Sequence, residues 1–181
     1  MKVEMQAGVG PVFASPLVSP DDLSRLEVPI VREALKYVFD AISLTRHKLE
    51  GKVPLIGFSG APWTLMSYMV EGGGSKTYSK SKKWLYQHPS ESLDLLQRLT
   101  DVIVEYLVEQ VRAGAQLLQV FESNAEYLSP DMFNKFALPY LVQINNKVFI
   151  IVVLTNDIKI ITVTSFRSRR LCPTSRSTLS R

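Results

Sequence analysis

The chain has 181 residues, of which 46% are hydrophobic, and it carries a formal net charge of +4 at pH 7. This length suits one globular domain, and the hydrophobic content is sufficient for a buried core. Cys172 is the only cysteine, so an internal disulfide and a cysteine-rich zinc site are both excluded.

The positive charge is concentrated at the C-terminal end of the chain. Seven of the 21 basic residues but only one of the 17 acidic residues, Asp157, lie from Val142 onward. Residues 1–141 are therefore close to neutral, and the charge does not indicate a nucleic-acid-binding face. The N-terminus resembles neither a secretory signal nor a transit peptide, and no apolar run approaches the ~20 residues that span a bilayer. We therefore predict a cytoplasmic protein with no membrane or nucleic-acid partner.

The first half of the chain predicts a helical region followed by a strand. Ser19, followed by Pro20 and two aspartates, is typical of a helix start, because a hydroxyl can cap the first N–H groups and proline suits the first helical position. Beyond Pro29, apolar residues recur at a helical period up to Leu49, and Gly51 is placed to end that helix. Residues 53–58 then form a short apolar run between turn residues, which predicts a buried strand.

The second half of the chain repeats this order. Residues 89–114 carry an apolar stripe of helical period, and residues 115–121 predict a second strand. Ser129, followed by Pro130, starts another helix with the same capping chemistry as Ser19. Strands separated by long helical stretches are expected to lie parallel, with crossover connections, in an α/β layer or barrel.

The segment after Leu141 departs from this pattern. Residues 142–163 are rich in isoleucine, valine and asparagine but show neither helical nor alternating periodicity. Residues 167–181 consist largely of serine, threonine and arginine. We therefore expect residues 1–141 to form one domain and residues 142–181 to form a disordered basic tail.

The most distinctive motif occupies residues 54–75, which read PLIGFSGAPWTLMSYMVEGGGS. Together with Phe121-Glu122-Ser123 and residues 133–140, this motif resembles the signature of the uroporphyrinogen decarboxylase family. The resemblance covers about residues 1–141 and does not extend into the tail, which is expected to be non-native to the family. It implies an α/β fold, a (β/α)8 TIM barrel of which this chain would hold about three βα units.

The resemblance also implies an enzyme of haem and porphyrin biosynthesis. Uroporphyrinogen III would be converted to coproporphyrinogen III with loss of four carbon dioxide molecules and no cofactor, because a pyrrole protonated at carbon accepts the released electrons. The family tends to form homodimers. Its arginine motif, catalytic aspartate and C-terminal histidine have no counterpart here, so this chain is expected to be a fragment that is inactive by itself.

Three residues are predicted to contact the substrate. Tyr68 matches the family's active-site tyrosine, whose phenol can donate a hydrogen bond to a carboxylate or position a neighbouring acid; without the motif it would be read as ordinary core or surface. Ser123 follows a predicted strand and matches a family serine that contacts a substrate carboxylate, although its hydroxyl could instead bond the local turn. Phe58 holds the equivalent position after the earlier strand and is predicted to line the cleft, unless it is a core phenylalanine.

Three other signals carry less weight. Residues 72–77 contain three glycines and a lysine but lack the spacing of a phosphate-binding loop. His47 and His88 are isolated among polar neighbours, so no metal site is predicted. A cluster of lysines is read as a solvated helix face, or alternatively as a group that attracts a polyanionic porphyrinogen over long range: Lys76, Lys80, Lys82 and Lys83.

A non-catalytic function is the alternative. The chain could pair with a complete decarboxylase through its retained surface, or it could bind acidic partners through the basic tail. Deletion of residues 142–181 would abolish binding in the second case and preserve it in the first.

Overall fold

The computed structural model describes residues 1–8, 10–154 and 160–164. An antiparallel hairpin is formed by β1 (Val3–Gln6) and β2 (Gly10–Phe13). A parallel three-stranded sheet has the order β3 (Ile56–Gly60), β4 (Leu117–Phe121) and β5 (Ile160–Thr164). The α-helices are α1 (Val31–Ala34), α2 (Lys36–Leu49), α3 (Pro62–Glu71), α4 (Ser79–Gln87), α5 (Pro89–Arg112), α6 (Pro130–Phe136) and α7 (Leu138–Leu154), and two 3-10 helices cover Pro20–Arg25 and Ala125–Tyr127. Within the described ranges, none of these helices combines the length and apolar character needed to cross a membrane.

The helix starts predicted at two serines are confirmed. Ser19 precedes the first 3-10 helix, and its backbone N–H donates to the Asp22 carboxylate at 2.9 Å. Ser129 precedes α6, and its hydroxyl accepts a hydrogen bond from the backbone N–H of Met132 at 3.4 Å. Local capping chemistry therefore decides where these helices begin.

The helix predicted between Pro29 and Leu49 is interrupted once. α1 ends at Ala34 and α2 begins at Lys36, with Leu35 between them outside helical geometry at φ −113° and ψ 19°. Glu50 and Gly51 then adopt left-handed backbone conformations, with φ values of 50° and 79°. Gly51 thus lies in the conformation that favours glycine at the end of a helix, as the sequence predicts.

The two predicted strands are present and parallel, but the first is shifted. β3 covers Ile56–Gly60 and not residues 53–58, and it is not buried on both faces. Gly57 and Ser59 point toward the helices and are buried, whereas Ile56 and Phe58 are exposed on the opposite face. A short apolar run is compatible with a strand buried on both faces and with a strand buried on one face. Buried and exposed residues alternate along β3 because helices pack on one face of the sheet.

Helix α5 forms the centre of the core. It packs against α3, α7 and β3, and its apolar stripe includes the fully buried residues Leu96 and Leu107. One group of buried side chains surrounds Trp63 and Phe136, and a second group lies between α5, α7 and the buried face of the sheet. The helix predicted over residues 89–114 therefore packs against other elements on more than one of its sides.

The expectation of a disordered tail beginning at Val142 is wrong for the first part of that segment. α7 continues from Leu138 to Leu154 without a break, and β5 then pairs with β4 in parallel. Leu141, Ile144 and Val148 lie at helical spacing and are buried in the group that contains α5. This stripe is hidden in the sequence because the exposed side of α7 is also apolar at Phe149 and Ile150. Residues 155–159 and 165–181, which the prediction also covered, lie outside the described residues.

A glutamine from α5 bonds the backbone of one residue at the free edge of β3. The Gln110 side-chain amide accepts from the Phe58 N–H at 2.9 Å and donates to the Phe58 carbonyl at 3.0 Å. Gly57 leaves room for this contact, because a Cβ at that position would lie 2.7 Å from the Gln110 Oε1. The amide occupies the place that a neighbouring strand would take.

Replacing Gln110 with alanine should destabilise the fold, because the backbone N–H and carbonyl of Phe58 would both lose their hydrogen bonds to the Gln110 side chain. We expect the free energy of unfolding to fall by about 1–3 kcal/mol. Urea denaturation followed by circular dichroism would measure the change. Gln87→Ala, at an exposed position of α4, is the control, and an equal effect of both substitutions would contradict the role assigned to Gln110.

Candidate functional site

The connections that carry Tyr68 and Ser123 leave the parallel sheet at the same edge. Gly60, the last residue of β3, lies opposite Phe121, the last residue of β4. α3 begins two residues after Gly60 and carries Tyr68, and Ser123 lies two residues after Phe121. Because the strands are parallel and end in register, the helix and the loop are neighbours. In α/β proteins, ligands usually bind at the edge where the carboxyl ends of the parallel strands lie.

Four hydrogen bonds fasten the loop after β4 to α3. The Thr64 hydroxyl donates to the Glu122 carboxylate at 2.5 Å, and the Asn124 side-chain amide donates to the Ser67 hydroxyl at 2.7 Å. The Asn124 backbone N–H donates to the Thr64 hydroxyl at 3.3 Å. The Trp63 indole N–H donates to the Asn124 carbonyl at 2.9 Å. We call these five residues the loop–helix clamp.

The clamp surrounds both hydroxyl-bearing residues predicted from the sequence. Ser123 lies between Glu122 and Asn124 in the chain, and Tyr68 directly follows Ser67. Ser123 and Tyr68 are half-buried, and the Ser123 hydroxyl makes no hydrogen bond with any residue that the structure describes. Its hydroxyl is therefore not used by the local turn in the part of the chain that the structure describes.

Glu122 is a functional candidate that the sequence reasoning did not single out. Its side chain is fully buried, and its Oε2 atom has no hydrogen-bond partner among the described residues. Burial raises the pKa of Glu122 to about 7, against the opposing effect of hydrogen bonds from Thr64 and from the Trp63 backbone. Its signals in the sequence are its place in the Phe121-Glu122-Ser123 motif and its position directly after an apolar strand, which many surface residues share.

The pKa of Glu122 should appear as a pH-dependent stability. The pKa is about 7 in the folded protein against 4.5 for an ordinary glutamate, so the stabilisation from the bound proton is complete below about pH 4.5 and is lost as the pH rises through about 7. Glu122→Gln stays neutral and does not undergo this loss. Relative to the wild type, the variant should gain about 3 kcal/mol of unfolding free energy between about pH 4.5 and pH 8.

Urea denaturation of both proteins at several pH values would test this prediction. Glu126→Gln, which alters an exposed carboxylate four residues away, should show no such trend. A difference between Glu122→Gln and the wild type that stays constant with pH would contradict the assignment.

Tyr68 lies in a cluster of three tyrosines. Its ring meets the Tyr78 ring edge-on at 6.4 Å between centroids, and the Tyr78 ring lies 4.6 Å from that of Tyr127. Burial, together with the charge and hydrogen bond of Tyr68, raises the pKa of Tyr78 to about 12, so this phenol stays protonated. Tyr78 has a φ of 48°, which strains a residue other than glycine. The backbone is held in this conformation beside the predicted site residue.

Phe58 lies within β3 and not after it, which corrects the predicted position. Its side chain is 61% exposed, so it is not a core phenylalanine. Its ring meets that of Phe121 edge-on at 5.9 Å, on the face of the sheet opposite the helices. The two rings form an apolar surface that leads to the carboxyl edge.

The clefts described in the structure lie away from these residues. One cleft, of about 300 Å³, is lined mainly by apolar residues of α3, α5 and the N-terminal segment, including Phe13 and Leu99. Another, of about 230 Å³, includes Lys80, Lys83 and Trp84. Neither is lined by Tyr68, Ser123 or Phe58. These two clefts are therefore distinct from the surface around the predicted residues.

The predicted lysine cluster extends over the start of α4. Three of its four members are exposed and Lys82 is half-buried. None of the four forms a salt bridge with a residue that the structure describes. This arrangement is compatible with both interpretations, a solvated face and a group that attracts anions.

Comparison with known proteins finds one family. The family model described as uroporphyrinogen decarboxylase (URO-D) matches residues 1–160, and so continues past Leu141, where the resemblance was expected to end. The chain is 59% identical to the uroporphyrinogen decarboxylase of Salinibacter ruber over 148 residues, which are 82% of this chain and 42% of that protein. It is 62% identical to that of Danio rerio and 58% identical to that of Homo sapiens, each over 149 residues, 82% of this chain and 40% and 41% of those proteins. The chain thus spans about two fifths of the length of these curated relatives.

A solved structure shares the fold. A methyltransferase from Methanosarcina mazei superposes with a TM-score of 0.67 and 23% sequence identity, over 90% of this chain and 46% of that one. At this identity the likeness concerns the arrangement of helices and strands alone.

Proposed function

Since the chain belongs to the uroporphyrinogen decarboxylase family, we propose that it forms part of the substrate cleft of a carboxy-lyase acting on uroporphyrinogen. The observation that carries this proposal is the common edge at which β3 and β4 end, because it places the helix of Tyr68 beside the loop of Ser123. Two hydroxyl-bearing side chains at one edge suit a substrate that presents several carboxylates.

The chemistry of decarboxylation defines what such an edge must provide. The carboxylate of an acetate arm leaves as carbon dioxide, and the electron pair of the broken C–C bond passes into a pyrrole ring that has been protonated at carbon. Protonation of the remaining methylene carbon then gives a methyl group, and loss of the added ring proton restores the pyrrole. The protein must hold the arm in the reactive orientation and stabilise charge as it develops. We assign to Tyr68 a part in both holding the arm and stabilising the charge, as a catalytic and substrate-binding residue. We assign substrate binding to Ser123, whose hydroxyl can donate a hydrogen bond to a carboxylate.

Phe58 completes the proposed cleft as an apolar wall. Its exposed ring and that of Phe121 lie on the open face of the sheet, beneath the edge that carries the hydroxyls. A tetrapyrrole combines an apolar ring system with charged arms, so an apolar face bordered by hydrogen-bond donors fits both parts of the substrate.

The surrounding architecture is proposed to follow the family. The parallel sheet, with helices on one face and an open apolar opposite face, is proposed to be a section of a (β/α)8 barrel, in which that open face would point inward. We further propose that the enzyme acts in the cytoplasm and as a homodimer.

Substitution of the two hydroxyl-bearing residues should weaken substrate binding. Ser123→Ala and Tyr68→Phe each remove one hydrogen bond to a charged carboxylate, so the Kd for uroporphyrinogen should rise about tenfold in each variant. Calorimetric titration under anaerobic conditions would measure this change, with decarboxylation followed in parallel. Ser90→Ala and Tyr86→Phe remove hydroxyls from exposed residues and serve as matched controls.

Coproporphyrinogen provides a second comparison, because it lacks the acetate carboxylates. The Ser123→Ala and Tyr68→Phe variants should lose most of the preference for uroporphyrinogen over coproporphyrinogen. Unchanged affinity and preference in both variants would contradict the assignment of these residues.

A further inference from the structure

Glu122 is a buried acid that the proposed decarboxylation does not use. It is the first residue after β4, and both its side chain and its unpaired Oε2 are closed off from solvent. Because Glu122 is fully buried, a substrate bound at the surface of this edge would not contact it. Any influence on the reaction must therefore pass through the residues that Glu122 contacts.

Those contacts lead to both proposed site residues. The Glu122 carboxylate accepts a hydrogen bond from the Thr64 hydroxyl in the first turn of α3, and its other oxygen has no partner among the described residues. One turn further along the same helix lies Tyr68.

Ser123 has an anchored residue on each side. Glu122 precedes it, and Asn124 follows it with hydrogen bonds to Thr64, Ser67 and the Trp63 indole. The Ser123 hydroxyl itself makes no bond to the described residues, so its direction depends on the backbone that carries it. Holding that backbone in advance lowers the entropic cost of binding a ligand.

We propose that Glu122 is a positioning residue that directs the Ser123 hydroxyl toward a substrate carboxylate by fastening the loop after β4 to the first turn of α3. The inference rests on the proposed function for the identity of that carboxylate. The mechanical part, the ordering of Ser123 by Glu122, can be measured without any substrate.

The two tryptophans of the chain supply a structural readout. The Trp63 indole N–H donates to Asn124 within the clamp, whereas the Trp84 indole N–H has no partner among the described residues. In a nitrogen-15 spectrum, Thr64→Val should therefore shift the Trp63 indole signal and leave that of Trp84 in place. Thr100→Val is the matched control, because Thr100 is equally buried but bonds to Leu96 within α5.

The order of the Ser123 backbone tests the mechanical part directly. In the wild type the amide of Ser123 should show the order parameter of rigid backbone, about 0.85, and in Glu122→Ala it should fall below about 0.6. Thr64→Val should also lower the order parameter of the Ser123 amide, which provides a second measurement if Glu122→Ala does not fold. A Ser123 amide that stays equally rigid in the folded variants would overturn the proposal.

A double-mutant cycle tests the functional part. Glu122→Ala should raise the Kd for uroporphyrinogen about fivefold when Ser123 is present and less than about twofold when Ser123 is replaced by alanine, because the effect passes through that hydroxyl. Glu122→Gln keeps the shape and an acceptor for Thr64, so it should restore binding to within about threefold of the wild type.

The outcomes separate this proposal from the proposed function. Equal effects of Glu122→Ala with and without the Ser123 hydroxyl would show that Glu122 acts elsewhere and would overturn the positioning role. If the wild type does not bind uroporphyrinogen, the proposed function fails, and the order parameter of Ser123 still decides whether Glu122 holds the loop.

Discussion

The site depends on the parallel pairing of β3 with β4. Parallel neighbours cannot be joined by a tight turn, so the chain passes through α3, α4 and α5 before β4 begins. The register places Gly60 opposite Phe121, and the helix and loop that follow these residues leave the sheet together. Thr64 and Glu122 consequently form a hydrogen bond although they are 58 positions apart in the chain. Without that register, the residues of the loop–helix clamp would not meet.

The two faces of the parallel sheet have different environments. One face, represented by Leu118 and Val120, is buried against the helices and supplies the hydrophobic stabilisation. The opposite face keeps Phe58 exposed, and Gln110 satisfies the free edge without covering that face. A buried core on one face can therefore hold the carboxyl edge of the sheet in place while leaving that edge accessible.

Several unfavourable features lie close together at this edge. A carboxylate without full hydrogen bonding is costly to bury, and the partners of Glu122 offset that cost only in part. Tyr78 has a strained backbone beside Tyr68. Perturbed pKa values and strained residues are typical of functional sites, because function requires arrangements that stability alone would not favour.

The sequence was sufficient to predict the family, the alternation of strands and helices, and the helix starts at Ser19 and Ser129, because these depend on local motifs, capping and periodicity. It could not determine that α7 continues through Leu141, since an apolar helix surface conceals which side is buried. Nor could it identify Glu122, whose importance arises only from burial and from partners on α3. Tertiary structure decided these points because burial and hydrogen bonding between distant segments depend on how the strands and helices pack.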